Sequence, residues 1–110
     1  MKWHLKHEKH GDQPWAVQDE ALNRAAGKSH YGWFLQQGLG KTPITINDYY
    51  EEYLNDRVDV LVVLAPQSFK ADWPLAPNEW GLENMVGGTW PYNPLPLKVA
   101  YPVVYSMNYE

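Results

Sequence analysis

The sequence predicts an α/β domain with a short, mostly parallel sheet of about three to four strands flanked by helices. An apolar stretch at 31–35 has the composition of a strand, and the glycine-rich residues 36–41 follow it directly. An amphipathic pattern comes next, and a run of β-branched residues at 58–66 begins sixteen residues after Thr42. Such a run is typical of a parallel strand buried on both faces. Strand, loop, helix and strand in this order make a βαβ unit.

The part of the chain before this unit divides into a lead-in and a helix. Residues 1–12 are polar and histidine-rich, which indicates an extended lead-in or a short edge strand. A helix is predicted from about 13 to 26 by its apolar spacing. Asp12 is a suitable N-cap, Pro14 can occupy the first turn without losing a hydrogen bond, and Gly27 ends the pattern.

The helix after the glycine-rich loop is predicted to begin near Lys41. Its apolar side chains are spaced at i, i+4, i+7 and i+8, at the positions Ile46, Tyr50, Tyr53 and Leu54. Because these positions share one face of a helix, we expect that face to pack on the sheet.

Proline and glycine restrict the elements after the second strand. Ser68 could cap a further helix, but Pro74 and Pro77 keep it short or irregular. Residues 87–96 are predicted to be a loop, because neither a helix nor a central strand tolerates so many glycines and prolines. A third strand is predicted through 99–105, where Pro102 leaves the register open.

The loop itself has the residue types that bind a nucleoside triphosphate. Backbone N–H groups of Gly38-Leu39-Gly40 and of the helix start can surround the phosphates, and Lys41 can reach the terminal ones. The Thr42 hydroxyl can hold Mg²⁺. The strict pattern has glycine where this chain has Leu35. The loop predicts binding of ATP or GTP, so residues 13–110 are interpreted as a nucleotide-binding core that follows the polar lead-in.

Composition limits the function classes. With 110 residues the chain is a single domain, and its net charge of −4 provides no global attraction to a polyanion. It has no cysteine, which excludes disulfides, thiolate catalysis and cysteine-based zinc sites. The N-terminus lacks an apolar signal segment and no apolar run could cross a bilayer. We therefore expect a cytoplasmic protein without membrane partners.

Several separated motifs together resemble one family. They are Pro14-Trp15-Ala16-Val17-Gln18 before a helix, the loop at 38–42, the strand and turn at 60–68, and Trp73 shortly after. In order and spacing they resemble the first motor lobe of superfamily 2 helicases, closest to Swi/Snf-like translocases, including compact versions carried by bacteriophages. The likeness covers roughly residues 14–110. It implies a partial RecA-like P-loop fold and, for a bacteriophage protein, the host cytoplasm.

The resemblance also implies roles for particular residues. Gln18 matches the glutamine that reads the adenine edge, which favours ATP over GTP, and Gly38, Leu39, Gly40, Lys41 and Thr42 match the motif that binds the phosphates and Mg²⁺. Pro66, Gln67 and Ser68 match a motif whose loop touches the nucleic-acid backbone. The segment 103–110, with Ser106, resembles a third motif near the DNA path.

The chain also departs from the family pattern. After the last strand the family has an acidic block, usually Asp-Glu-x-His, which completes the Mg²⁺ site and orients the attacking water. Neither this block nor the second lobe is present in the sequence. We therefore expect an N-terminal fragment or a shortened gene product that binds ATP and Mg²⁺ and contacts DNA without turnover. Its partner, if it is a fragment, is the remainder of the motor.

Other functions remain open at this level. A non-enzymatic module that keeps the shape of the lobe could bind protein or DNA, whereas a complete small kinase or GTPase lacks a second acidic motif. Trp73, Trp80 and Trp90 could stack on bases, although packing in the core is favoured. His4, His7 and His10 repeat every third residue without a completing carboxylate set, which makes a metal site unfavoured.

Two expectations concern the end of the sequence. Glu110 could replace the missing acid, but Ser106 and Asn108 interrupt the strand before it, and this role is unfavoured. A parallel sheet without later strands should expose an unpaired edge beside its last strand, which predicts partial self-association.

Overall fold

The computed structural model describes residues 2–9, 11–28, 32, 41–65, 72–82, 85–89 and 102–108. In chain order the elements are α1 (Ala16–Ala25), α2 (Lys41–Leu54), β1 (Val60–Ala65), a 3₁₀ turn (Trp73–Leu75), α3 (Ala76–Glu79), β2 (Val86–Thr89) and β3 (Val103–Asn108). The predicted mixed α/β class is therefore confirmed. The predicted strand at 31–35, apart from Gly32, and the loop before Lys41 lie outside the described residues.

The described strands form one all-parallel sheet in the order β1-β3-β2. Val103, at the start of β3, lies opposite Val60 on one side and Val86 on the other. Residues Val103 to Ser106 of the central strand β3 are buried, as expected for a parallel strand between two neighbours. The unpaired edge predicted beside this last strand is wrong, because β3 pairs with both β1 and β2. The prediction of a short parallel sheet is confirmed by these three strands.

The loop predicted at 87–96 is wrong at its start, because Gly87 and Gly88 belong to β2. The 3₁₀ turn explains these glycines. A Cβ on Gly87 would lie 2.5 Å from the carbonyl oxygen and 2.6 Å from the Cβ of Pro74. A glycine in a strand often marks such a close approach of another backbone segment. Residues 90–96 lie outside the described part of the chain.

The third strand is confirmed with different bounds. It was predicted over 99–105 but extends from Val103 to Asn108, and 99–101 are not among the described residues. Pro102 stands immediately before it, and its carbonyl accepts a hydrogen bond from the Val86 N–H at 2.9 Å. Proline thus sets the start of the strand, where its missing N–H costs no ladder hydrogen bond.

The first helix is confirmed within its predicted range. α1 starts at Ala16 rather than near residue 13, and Trp15 occupies the N-cap position predicted for Asp12. Asp12 is exposed, and Gly27 follows the helix with φ 78°, a conformation that favours glycine.

The buried face of α2 differs from the prediction. Ile46 is buried as expected, but Leu54 is 51% exposed, and Ile44, Asn47 and Tyr49 are buried instead. The helix is covered from two directions, by α1 and by the N-terminal residues. The buried stripe therefore includes Asn47, a polar residue that an apolar pattern does not detect.

The prediction that β1 is buried on both faces is wrong. Val62 is 46% exposed and Leu64 is 62% exposed, whereas Ala65 is 4% exposed. β1 is the outer strand of the described sheet, and β-branched composition alone does not distinguish an outer strand from a central one.

Two apolar clusters connect the helices, and the N-terminus joins them. The first cluster consists of Leu5, Ile46, Ala76 and Leu82. The second consists of Ala21, Leu22 and Ile44. Trp3 packs against both clusters. Residues 2–7, here called the N-terminal strap, are thus part of the packed structure, although their polar composition indicated a lead-in.

Between β1 and β2 the structure describes residues 72–82, where the helical elements are short, as predicted from Pro74 and Pro77. These elements are the 3₁₀ turn and the single-turn α3. Trp73 and Trp80 pack against the first cluster, which confirms the packing role expected for them. Ser68 and Trp90 lie outside the described residues.

Candidate nucleotide-binding site

The amino end of α2 follows directly on the predicted phosphate loop. α2 begins at Lys41, and Gly38-Leu39-Gly40 precede it outside the described residues. The first turn contains no acidic residue. The leading N–H groups of a helix lack intrahelical acceptors, and the helix dipole is positive at this end. A first turn that opens with lysine and threonine and has no carboxylate is electrostatically suited to an anion.

Tyr49 holds the second half of α2 against one edge of the sheet. Its buried hydroxyl donates to the carbonyl of Asp59 at 2.7 Å and accepts from the N–H of Val103 at 3.0 Å. Asp59 immediately precedes β1 and Val103 opens β3, so this contact lies at the amino edge of the sheet. Lys41 is eight residues earlier, about 12 Å away along the helix axis. The amino half of α2 therefore leads away from the amino edge.

Gln18, the candidate adenine reader, is fully buried in the first turn of α1. Its side-chain carbonyl accepts the backbone N–H of Trp15 at 2.9 Å. This bond is the side-chain half of a capping box and satisfies a donor that the helix itself cannot satisfy. An adenine contact would need the side chain to be uncovered, so this role stays a prediction.

A cleft of about 750 Å³ lies between the end of α1, the outer face of α2 and the start of β1. Its charged lining residues are Lys28, Asp48, Glu52 and Arg57. Arg57 is paired with Glu52 through two hydrogen bonds, of 2.5 Å and 3.0 Å. Burial, followed by repulsion from Glu52, raises the pKa of Asp48, while Arg57 opposes the shift. The two carboxylates balance the two cations of the lining, so this cleft has no net positive charge to attract a triphosphate.

The candidate DNA contacts divide into two groups. Pro66, Gln67 and Ser68 lie outside the described residues and follow β1 immediately at its carboxyl end. Ser106 lies within β3 opposite Val63 and is fully buried. A contact between Ser106 and DNA would therefore require this side chain to be exposed.

Two of the N-terminal histidines, His4 and His7, each face a carboxylate. His4 forms a hydrogen bond with Glu51, and this bond, opposed by burial, lowers the pKa of Glu51. His7 lies 3.4 Å from Glu79, and His10 is outside the described residues. Among the described side chains, no group of three or more histidines and carboxylates is arranged to hold a metal ion.

Sequence reasoning missed two side chains that position α2. Asn47 is fully buried and binds the backbone of the N-terminal strap, and Tyr49 joins α2 to two strands. A single asparagine inside a buried helical stripe was the available signal for Asn47, since buried polar groups normally have partners.

Comparison of the chain with protein-family models, curated proteins and solved structures gave no significant match. In the described part of the chain, none of the helices has the length and apolar character needed to span a membrane.

Proposed function

We propose that the chain is the N-terminal part of a RecA-like helicase lobe of the Swi/Snf-like group, which binds ATP and Mg²⁺ through the loop ending at Lys41. The observation that supports it best is the order of elements around that loop. α2 starts directly after the Gly-x-Gly motif, without an acidic residue in its first turn, and leads into β1 of a parallel sheet. In open α/β sheets, ligands bind at the carboxyl edge of the strands. A helix that packs antiparallel to the strand after it has its amino end at that edge.

Each proposed role uses the chemistry of its side chain. Lys41 and the backbone around Gly38-Leu39-Gly40 hold the phosphates, and the Thr42 hydroxyl is a ligand for Mg²⁺, which neutralises phosphate charge. Gln18 reads adenine by its amide once it is uncovered. The turn after β1, with Pro66-Gln67-Ser68, contacts the DNA backbone. Ser106, which is fully buried in β3, joins this contact only once it is uncovered.

The proposal assigns binding without turnover to this chain. Its 110 residues contain no Asp-Glu-x-His block to complete the Mg²⁺ site and to orient water. Translocation also needs a second lobe that closes on ATP. Hydrolysis and movement along DNA are therefore proposed for the chain only together with the remainder of the motor.

Calorimetric titration with ATP in the presence of Mg²⁺ tests the proposal. The wild-type chain should bind one ATP, and Lys41→Ala should abolish binding because the phosphates lose their positive partner. Lys9→Ala is the matched control, since Lys9 is an exposed lysine far along the sequence from the loop. Equal heats for wild type and Lys41→Ala would refute the proposed site, and DNA-stimulated hydrolysis by the wild-type chain would refute the absence of turnover.

The second candidate is a non-enzymatic module derived from such a lobe, which binds protein or DNA. The exposed apolar side chains Val62 and Leu64 on β1 favour it, because solvent-facing apolar pairs on a strand often mark a contact surface. If ATP does not bind and Lys41→Ala changes no measured interaction, this candidate is preferred.

A further inference from the structure

Asn47 binds the backbone of the N-terminal strap at two points. Its side-chain carbonyl accepts the His4 N–H at 2.8 Å, and its amide nitrogen donates to the Lys2 carbonyl at 3.0 Å. In an extended chain these two backbone groups point to the same side, so one amide side chain pairs with them as a neighbouring strand would. Asn47 is fully buried, and the strap is therefore fixed to α2 in one register.

The strap makes further contacts along α2. The His4 ring bonds to Glu51, and it packs edge-on against Tyr50 with ring centroids 5.2 Å apart. Trp3 packs against the cluster that contains Ile44, a residue of the first turn of α2. The contacts thus extend from the last turns of the helix to within three residues of Lys41.

The other side of the strap is anchored to α3 and the turn after it. The Lys6 N–H donates to the Trp80 carbonyl at 2.9 Å, and Leu5 is buried with Ala76 and Leu82. A Cβ on Gly81 would lie 3.1 Å from the Lys6 carbonyl oxygen. The strap therefore connects α2 to a part of the fold that is distant in sequence.

We propose that the N-terminal strap sets the position of α2, and through it the phosphate-binding end at Lys41 and Thr42, with Asn47 as the positioning residue. The inference rests on the proposed function of that loop. A helix is a stiff rod, so fixing Asn47, Glu51 and Ile44 fixes the direction in which its first N–H groups point. The strap side chains do not touch the nucleotide in this proposal; they act through α2.

The experiment compares the full chain with Asn47→Leu, which has a similar volume but makes neither hydrogen bond. Asn23→Leu is the control, since Asn23 is exposed on α1. We expect the folded Asn47→Leu chain to bind MgATP at least about fivefold more weakly, within the usual range of coupling between sites. The Thr42 amide resonance should also shift in a ¹H–¹⁵N spectrum, and the control should change neither quantity.

The two readouts separate this inference from the proposed function. If wild type binds MgATP and folded Asn47→Leu binds equally well with an unmoved Thr42 resonance, the strap does not position α2. If wild type does not bind MgATP, the proposed function fails, and the Thr42 resonance alone decides on the strap. If Asn47→Leu does not fold, Trp3→Leu replaces it. Trp3→Phe should then restore the wild-type values, because it retains an aromatic ring against the cluster that contains Ile44.

Discussion

Gln18, Asn47 and Ser106 are fully buried polar side chains, and burial gives each of them a structural role that must be separated from any role in binding. Gln18 is the clearest case, since its carbonyl caps α1. We expect Gln18→Ala to lower the free energy of unfolding by about 1 kcal/mol, the usual cost of a lost cap. Urea titration followed by circular dichroism measures it.

Gln13→Ala is the matched control for this prediction, because Gln13 is an exposed glutamine just before the same helix. It should leave stability unchanged. If Gln18→Ala is as stable as wild type and instead changes the preference for ATP over GTP, the side chain reads adenine and its capping role is minor.

Some buried residues could be predicted from the sequence and others could not. The burial of Ile46 was predicted because its apolar side chain lies at helical spacing from the other apolar residues of α2. Asn47 was not, since its partners Lys2 and His4 are 45 and 43 residues away and hydropathy assigns asparagine to the surface. The loop residues of the candidate site could be predicted because they form a local sequence motif. The contacts that hold α2 could not, because they join segments that are distant in sequence.

At the scale of the elements, β2 depends on Gly87, which the sequence predicted to lie in a loop. We expect Gly87→Ala to destabilise the fold by about 1–3 kcal/mol, because a methyl group there would overlap Pro74 of the 3₁₀ turn. Thermal unfolding of Val86→Ala, a change at an exposed position on the same strand, is the control. An unchanged midpoint for Gly87→Ala would show that the turn does not pack closely on β2.

Tyr49 joins α2 to the starts of β1 and β3, and its hydroxyl makes both bonds. We expect Tyr49→Phe to cost about 1–3 kcal/mol at neutral pH, because it leaves the buried Val103 N–H without an acceptor. Tyr53→Phe, on the more exposed side of the same helix, should cost much less. Equal losses in chemical denaturation would contradict the bridging role of Tyr49.

Because of the Tyr49 hydroxyl, the free energy of unfolding should also decrease at alkaline pH. Burial raises the pKa of Tyr49 to about 12, above the value of about 10 in an unfolded chain. A raised pKa means that the neutral form stabilises the fold, so this contribution is present below about pH 10 and is lost as pH rises towards 12. Denaturation measured across this range should show the loss in wild type and less of it in Tyr49→Phe.

The elements predicted best were those with a local signal. α1 and α2 follow from apolar spacing and from the residues that end them, and β3 follows from its β-branched run. The short strand β2 did not, because Gly87 and Gly88 indicate a turn until the approach of Pro74 is known. The exposed face of β1 was also not predicted, because the outer position of this strand in the described sheet depends on tertiary pairing.

For the molecule as a whole, the N-terminal strap makes stability sensitive to acid. The hydrogen bond from His4 lowers the pKa of Glu51. A lowered pKa means that this contribution is present above the unfolded value of about 4.3 and is lost as pH falls through the folded value. We expect the free energy of unfolding of wild type to fall below about pH 4, and Glu51→Gln to show a smaller decrease.

Asp48 provides a control for the Glu51 titration, because its pKa is shifted in the opposite direction. Burial raises its pKa, so its ionised form opposes folding, and Asp48→Asn should increase stability near pH 7. It should leave the acid loss due to Glu51 in place. If Glu51→Gln follows the wild-type pH profile, the pair between strap and helix does not contribute to stability.

The exposed face of β1 leads to a prediction about assembly. Among the described strands β1 pairs with β3 alone, and its Val62 and Leu64 side chains are 46% and 62% exposed. These exposed apolar side chains favour contact with the same strand of a second copy, because that contact removes them from water. Sedimentation velocity at increasing concentration should therefore show partial self-association.

Leu64→Lys should abolish this self-association by placing a charge in the contact, whereas Leu75→Lys, at a 69% exposed position on the 3₁₀ turn, should behave as wild type. A wild-type chain that stays monomeric at high concentration, or a Leu75→Lys chain that dissociates as Leu64→Lys does, would place the contact elsewhere than on β1.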